Sequence, residues 1–293
     1  MGIFIGILEE GLIYGFLALG VFITYRILDF PDLSVDSTFP LGAAVSAILT
    51  VNGMNPVVTL LVATLAGAAA GLITGLIHVK CHVRDLLSGI ITMTGLYSVN
   101  LRIAGRANLP FFNMDTLFDN PFTRSFPPFL QPYSKIVVVL LVLAVVKLLL
   151  DLFMKTKAGF LLRAVGDNAV VVASLARDGG AVKIEGLVIA NALVALAGAV
   201  MAQKNRVFEI SMGTGALVFG LAAVIIGTNL FKNTRKVKGT TASVIGSIIY
   251  KACVAAALSL GLVPQDLKLI TAVLFLVILV LGGTHKKKVK FHA

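Results

Sequence analysis

The chain has 293 residues, of which 58% are apolar and only 13% charged, and its mean hydropathy is +0.97. A soluble domain carries about 25% charged residues and needs polar cover for its surface, so these values exclude a soluble globule and indicate an integral membrane protein. The net charge is +11, from 25 Lys+Arg against 14 Asp+Glu; it fits a nucleic-acid partner, an anionic membrane surface or charge-directed topology, and the placement of the cations decides among these.

A helix that crosses a bilayer needs about 20 apolar residues. The first such run covers residues 11–28. No Lys or Arg precedes it, so it does not read as a signal peptide. The next segment, 29–40, reads DFPDLSVDSTFP and places Asp29, Asp32 and Asp36 within eight residues. The apolar stretch 38–51 that follows has 14 residues. At 1.5 Å per residue it covers about 21 Å, against a hydrocarbon core of about 30 Å. It reads as half of a broken helix or as a span completed by polar residues. Ser37 or Thr38 is the expected cap, and Pro40 suits the first turn. Irregular backbone at membrane depth survives only where protein or a water cavity covers it. The loop therefore either lines a translocation path, with Asp32, Ser34, Asp36 and Ser37 as candidate pathway residues, or is an ordinary turn.

The span 57–79 carries Gly67, Gly71 and Gly75 at a four-residue spacing, extended by Ala63. Small residues in this pattern let helices approach closely, within or between subunits. His78, Cys81 and His82 lie at i, i+3 and i+4, but beside Lys80 and Arg84 they read as a basic loop edge, with no metal expected. The span 86–104 contains the polar Asn100. Residues 105–133 hold five of the nine prolines and also Phe111, Phe112, Phe118, Phe122, Phe126 and Phe129. This composition argues against disorder. The loop folds over the mouth of a pathway, docks a partner or anchors at the interface.

The span 134–153 ends with Lys147 and Asp151 at i,i+4, an expected local ion pair. Residues 154–182 form the longest inner segment. Two short helices are expected there: Ala158–Val165, broken by Gly166, and a second capped by Asp167 or Asn168 that ends near Arg177 before Gly179–Gly180. Spans follow at 183–203, which contains Glu185 and Asn191, and at 215–231, 240–260 and 267–283. Lys251 lies in the middle of 240–260, where a lysine costs about 2.5–3.5 kcal/mol on insertion scales. It must face a carboxylate or a cavity.

With 38–51 counted as a crossing there are nine, the N-terminus lies outside, and the tail 284–293 is cytoplasmic. Loops on the inner side then carry 16 of the 25 cations and outer loops 4, with five in or at the edges of spans. This is a positive-inside distribution and leaves no need for nucleic acid. The expected architecture is an all-α polytopic membrane protein with one transmembrane domain, 1–283, and a basic tail. No G-x-x-x-x-G-K-[ST], G-x-S-x-G or H-E-x-x-H occurs, so no catalytic constellation is expected.

Three ordered motifs add a resemblance. Asp32-Leu33-Ser34-Val35-Asp36-Ser37 followed by Leu41-Gly42-Ala43-Ala44-Val45 resembles the Asp-Leu-Ser-Val-Gly motif of ribose-type sugar permeases. Gly159, Leu162-Arg163-Ala164-Val165-Gly166 and Asn168 resemble the coupling region of branched-chain amino-acid permeases. Ile226-Gly227-Thr228-Asn229-Leu230 with Lys238-Gly239-Thr240 and Gly246 is similar to a glycine-rich stretch of the same superfamily. Tyr25-Arg26-Ile27-Leu28-Asp29 through Gly42 is most similar to the group of tryptophan and tyrosine importers.

The resemblance implies a permease subunit of a bacterial ABC importer in the inner membrane, without cofactor of its own. ATP and magnesium would belong to a partner ATPase that meets the 154–182 loop through Gly159, Arg163, Gly166, Asp167, Asn168 and Arg177. A second permease copy and an extracytoplasmic binding protein are the other implied partners, besides membrane lipid. Asp36 stands where the sugar permeases have glycine, and a carboxylate there suits the ammonium of an amino acid. The candidate pathway set is then Asp32, Ser34, Asp36, Ser37, Asn100, Asn191 and Lys251. An ion-coupled carrier that uses Asp32, Asp36 and Lys251 is the competing reading.

Overall fold

The computed structural model describes residues 2–127, 131–167, 178–232, 234, 237–259 and 267–283. The chain runs through α1 (Gly2–Val21), which continues as a π-helical turn over Phe22–Ile27, then α2 (Val35–Val51), α3 (Pro56–Val79) and α4 (Asp85–Ala104). A short strand β1 (Asn108–Pro110) and a single turn α5 (Pro121–Arg124) lead to α6 (Ser134–Phe153) and α7 (Lys157–Asp167). Next come α8 (Gly179–Asn205), β2 (Val207–Glu209), α9 (Ala216–Leu230), α10 (Gly239–Ser259) and α11 (Leu267–Gly283). Among the described residues, seven helical stretches are long and apolar enough to cross a membrane. The helices α2 and α11 have 17 residues each, or about 26 Å of rise.

The helix α8 is the hub, packed against α1, α2 and α3. The glycine ridge of α3 faces it. A Cβ at Gly67 would overlap Ala195 and the Asn191 carbonyl, one at Gly71 would overlap the Leu187 carbonyl, and one at Gly75 would lie 3.0 Å from Ile184. The ridge therefore packs within the chain. The helix α2 repeats the arrangement on another side, where Gly42 meets the Ala195 carbonyl and Gly198 meets the Phe39 carbonyl. The helices α9 and α10 clasp through Gly227 on the Ala242 carbonyl and Gly246 on the Ala223 carbonyl. In lipid, where apolar surface gives little drive for association, such backbone approach supplies the packing. Leu61, Leu65, Leu141, Leu148, Leu149, Leu269 and Leu276 instead point outward, each at least 60% exposed. Gly71→Leu is expected to force α3 off α8, with overpacking of at least the usual 1–3 kcal/mol. A fall in thermal midpoint in detergent, beyond that of Ala69→Leu, checks this.

Two local expectations are corrected. The helix α2 begins at Val35, so Ser37 and Thr38 are not its caps and Pro40 lies inside it. The helix starts earlier because the Ser34 N–H donates to the Asp32 carboxylate at 2.9 Å, an Asx turn that sets the first helical residues. Gly166 does not break α7, which continues to Asp167. Gly179–Gly180 begin α8, capped by Asp178, whose carboxylate accepts from the Gly180 N–H at 2.8 Å. The second inner helix, with Asn168 and Arg177, and the tail lysines lie outside the described residues.

The 105–133 segment is built onto the end of the bundle. The strands β1 and β2 pair antiparallel, with Leu109 opposite Phe208. Phe111, Leu117 and Phe118 are buried, while Phe112 is exposed. Gln203 of α8 accepts from the Leu117 N–H at 2.8 Å and donates to Thr59 at 2.8 Å, to Ser46 at 3.1 Å and to the Pro56 carbonyl at 3.1 Å. Hydrogen bonds from Arg124, 2.8 Å away, and from Arg206 hold the Asp119 carboxyl below the usual carboxylate range.

Candidate functional site

The acidic loop between α1 and α2 is clamped to α8. Asp32, Ser34 and Asn191 are all fully buried. The Asp32 carboxylate accepts from the Ser34 hydroxyl at 2.6 Å and from the Asn191 amide at 2.8 Å. The Ser34 hydroxyl also lies 3.2 Å from the Asn191 carbonyl oxygen, and the Asn191 amide donates to the Leu187 carbonyl at 3.1 Å. Sequence positions more than 150 residues apart are thereby closed into one buried polar network. Asn100 of α4 donates to the Ser37 carbonyl at 2.9 Å, a second tie to the start of α2.

Asp36 has a different task. Its two oxygens accept from the Gly215 N–H at 3.0 Å and from the Leu217 N–H at 2.8 Å. It caps α9 across space, meeting donors that a helix start leaves without partners. Both oxygens are thus engaged by backbone.

Lys251 faces both a carboxylate and a cavity. Its ammonium lies 3.0 Å from Glu10, whose other oxygen is 3.1 Å from Lys204. The ammonium also sits 4.2 Å over the Tyr14 ring and 5.3 Å from the Phe219 ring centre. Phe219 meets Tyr250 edge-on with ring centres 4.6 Å apart. Tyr14, Phe219, Tyr250 and Lys251 wall a cavity of about 400 Å³ that reaches Gly215 and Ala216 at the start of α9. Glu10 is shared between the Lys251 and Lys204 ammoniums, so it neutralises the pair only in part.

Asp32, Asp36 and Lys251 therefore enter three separate networks. No hydrogen bond or ion pair joins any two of them among the described residues. Sequence reasoning missed Glu10, Lys204, Gln203 and the aromatic wall. Glu10 and Lys204 carried a signal: each is a charge in or beside an apolar run, as Lys251 is.

At the opposite end α7 rests on the π-turn. A Cβ at Gly166 would overlap the Ile27 carbonyl, and Gly159 lies against the backbone of Phe153 and Met154. Leu162 and Val165 are buried, whereas Arg163 and Asp167 are exposed. Arg163 donates to the Met154 carbonyl at 3.1 Å. The pair of Lys147 and Asp151 forms at 3.0 Å, and Asp151 also takes Lys238 at 2.9 Å and Thr240 at 2.7 Å. The two imidazoles near the α3–α4 turn contact backbone: His78 lies 2.9 Å from the Val83 carbonyl and His82 2.9 Å from the Val79 carbonyl.

A bundle of apolar helices joined by glycine-mediated contacts defines a multi-pass helical membrane protein. The chain belongs to the family of branched-chain amino acid transport system permease components, which it matches over residues 3–281. It is 44% identical over 279 residues to a tyrosine transport system permease protein of Clostridioides difficile, covering 95% of this chain and 91% of that protein. An uncharacterized protein of Rickettsia prowazekii is 34% identical over 282 residues, covering 94% of this chain and 96% of that one. No solved structure matches the chain.

Proposed function

We propose that the chain is the membrane subunit of an ATP-driven importer of an amino acid with an aromatic side chain. The observation that carries the substrate class is the cavity of Tyr14, Phe219, Tyr250 and Lys251. Its Lys251 ammonium, which shares Glu10 with Lys204, suits a carboxylate, and its rings suit an apolar or aromatic side chain. The tyrosine transport relative supports the same class. The chain crosses the bacterial cytoplasmic membrane nine times, α2 and α11 included, with the N-terminus outside and the tail inside. Two copies form the pathway. A partner ATPase supplies ATP and magnesium and meets α7 and the segment after it, and an extracytoplasmic binding protein docks at the β1–β2 end. The cation asymmetry supports this orientation, and the seating of α7 on the π-turn supports the coupling role.

The test is uptake of labelled tyrosine by cells that carry the complete transporter. Lys251→Met is expected to raise KM about tenfold or more, the worth of a charge-assisted contact of about 1.5–3 kcal/mol. Lys251→Arg should keep part of that loss at bay. An unchanged KM in Lys251→Met, at equal membrane abundance, would overturn the cavity as a solute subsite.

A further inference from the structure

A second cavity, of about 550 Å³, opens at the α7 end, and neither the family nor the proposed transport role assigns it a ligand. It is bounded by the π-turn, the end of α6, α7 and the start of α10. Four cations line it, Arg26, Lys155, Arg163 and Lys238, together with the carboxylates Asp151 and Asp167. Asp151 is already neutralised by Lys238 and by Lys147 behind it. Arg26 and Lys155 have no carboxylate partner among the described residues, and both are exposed. Among the described residues, Arg163 hydrogen-bonds a backbone carbonyl and stacks on Phe160, 5.7 Å from the ring centre. The lining of the cavity therefore carries a net positive charge, four cations against two carboxylates.

Its surroundings are those of a lipid headgroup. Phe22, Ile27 and Met154 supply an apolar floor. Leu148, Leu149 and Leu152, each more than half exposed, form the outward face of α6 that leads up to Lys155. Tyr25 is 36% exposed on the neighbouring π-turn, an aromatic placed where membranes favour one. The cation distribution puts this end in the cytoplasm, where the leaflet carries anionic lipid. We infer that this cavity binds the phosphate of an anionic phospholipid, phosphatidylglycerol or cardiolipin, with Arg26, Lys155 and Arg163 as the phosphate-facing cations. Guanidinium groups suit phosphate oxygens through paired N–H donors, and a basic pocket between membrane helices at this depth suits an anionic headgroup.

The experiment is native mass spectrometry of the full-length chain, released from detergent after titration with phosphatidylglycerol, cardiolipin or phosphatidylcholine. The wild type is expected to retain the anionic lipids at least tenfold better than phosphatidylcholine. Arg26→Gln, Lys155→Gln and Arg163→Gln should each lower that retention about fivefold, since a cation facing an anionic surface contributes about 1 kcal/mol. Lys80→Gln with Arg84→Gln, in the exposed α3–α4 turn, serves as control and should change nothing. A triple variant that keeps the wild-type preference overturns the proposal. So does competition by inorganic phosphate or glycerol phosphate at the lipid's own affinity, which would assign the cavity to a free phosphate compound. Absence of lipid preference, with loss of ATPase copurification in the triple variant, would assign it to the partner protein instead and equally overturn it.

Discussion

Asn191→Leu is expected to lower the unfolding free energy of the detergent-solubilised protein by about 1–3 kcal/mol, the usual cost of leaving a buried hydrogen-bonding group without its partner. The variant takes from Asp32 the 2.8 Å amide bond and leaves the Ser34 hydroxyl without its second contact. Asp32 is fully buried, and among the described residues no cation pairs with it. Its ionised form therefore rests on hydrogen bonds alone. Asp32→Asn removes the charge and keeps the shape, so its loss should be smaller, and Asp32→Asn with Asn191→Leu should lose less than the sum. Thermal unfolding of the four proteins checks the cycle. Additive losses would show that the two side chains do not act as one network.

Gly166→Ala should leave the chain folded and in the membrane but sharply lower transport, by tenfold or more. A single Cβ at this position overlaps the Ile27 carbonyl, so α7 must move off the π-turn. Wide turns of this kind are frequent at functional sites and tolerate local rearrangement, and the three atoms nearest the added methyl group all belong to Ile27 and Leu28. The readout is stimulation of ATP hydrolysis by the loaded binding protein in the reconstituted complex. Basal hydrolysis should persist while its stimulation falls. Wild-type stimulation in Gly166→Ala would remove α7 from the coupling path. Ala164→Gly, which adds nothing to the contact, is the companion variant and should transport normally.

These two sites differ in how far they could be read ahead. Asp32, Ser34 and Asn191 stood out because polar residues in or beside apolar runs must be covered by protein, and that rule needs no knowledge of the fold. Gly166 stood out for a mistaken reason. Glycine in a short helical stretch reads as a stop, yet here the helix continues and the missing side chain admits a carbonyl from another segment. Asp36 shows the same gap. Its charge was visible, but its role as the cap of α9 depends on a helix start about 180 positions further along the chain.

The sequence by itself determined the membrane class, the position of the apolar helices to within a few residues except for the start of α1, which lies nine residues before the expected one, the uneven placement of cations and the glycine ridge of α3. Each of these is a property of one segment measured against lipid or water, and hydropathy, charge and residue volume add up locally. Only the tertiary structure decided what each feature meets. It set the α3 ridge on α8, gave Lys251 to Glu10 and an aromatic cavity, closed Asp32 on Asn191, and gathered Arg26, Lys155 and Arg163 around one cavity. The physical reason is that helix association in a bilayer is chosen by close steric fit and by pairing of the few polar groups. Those partners lie up to about 240 positions apart in this chain, as Lys251 does from Glu10, and no local pattern records them.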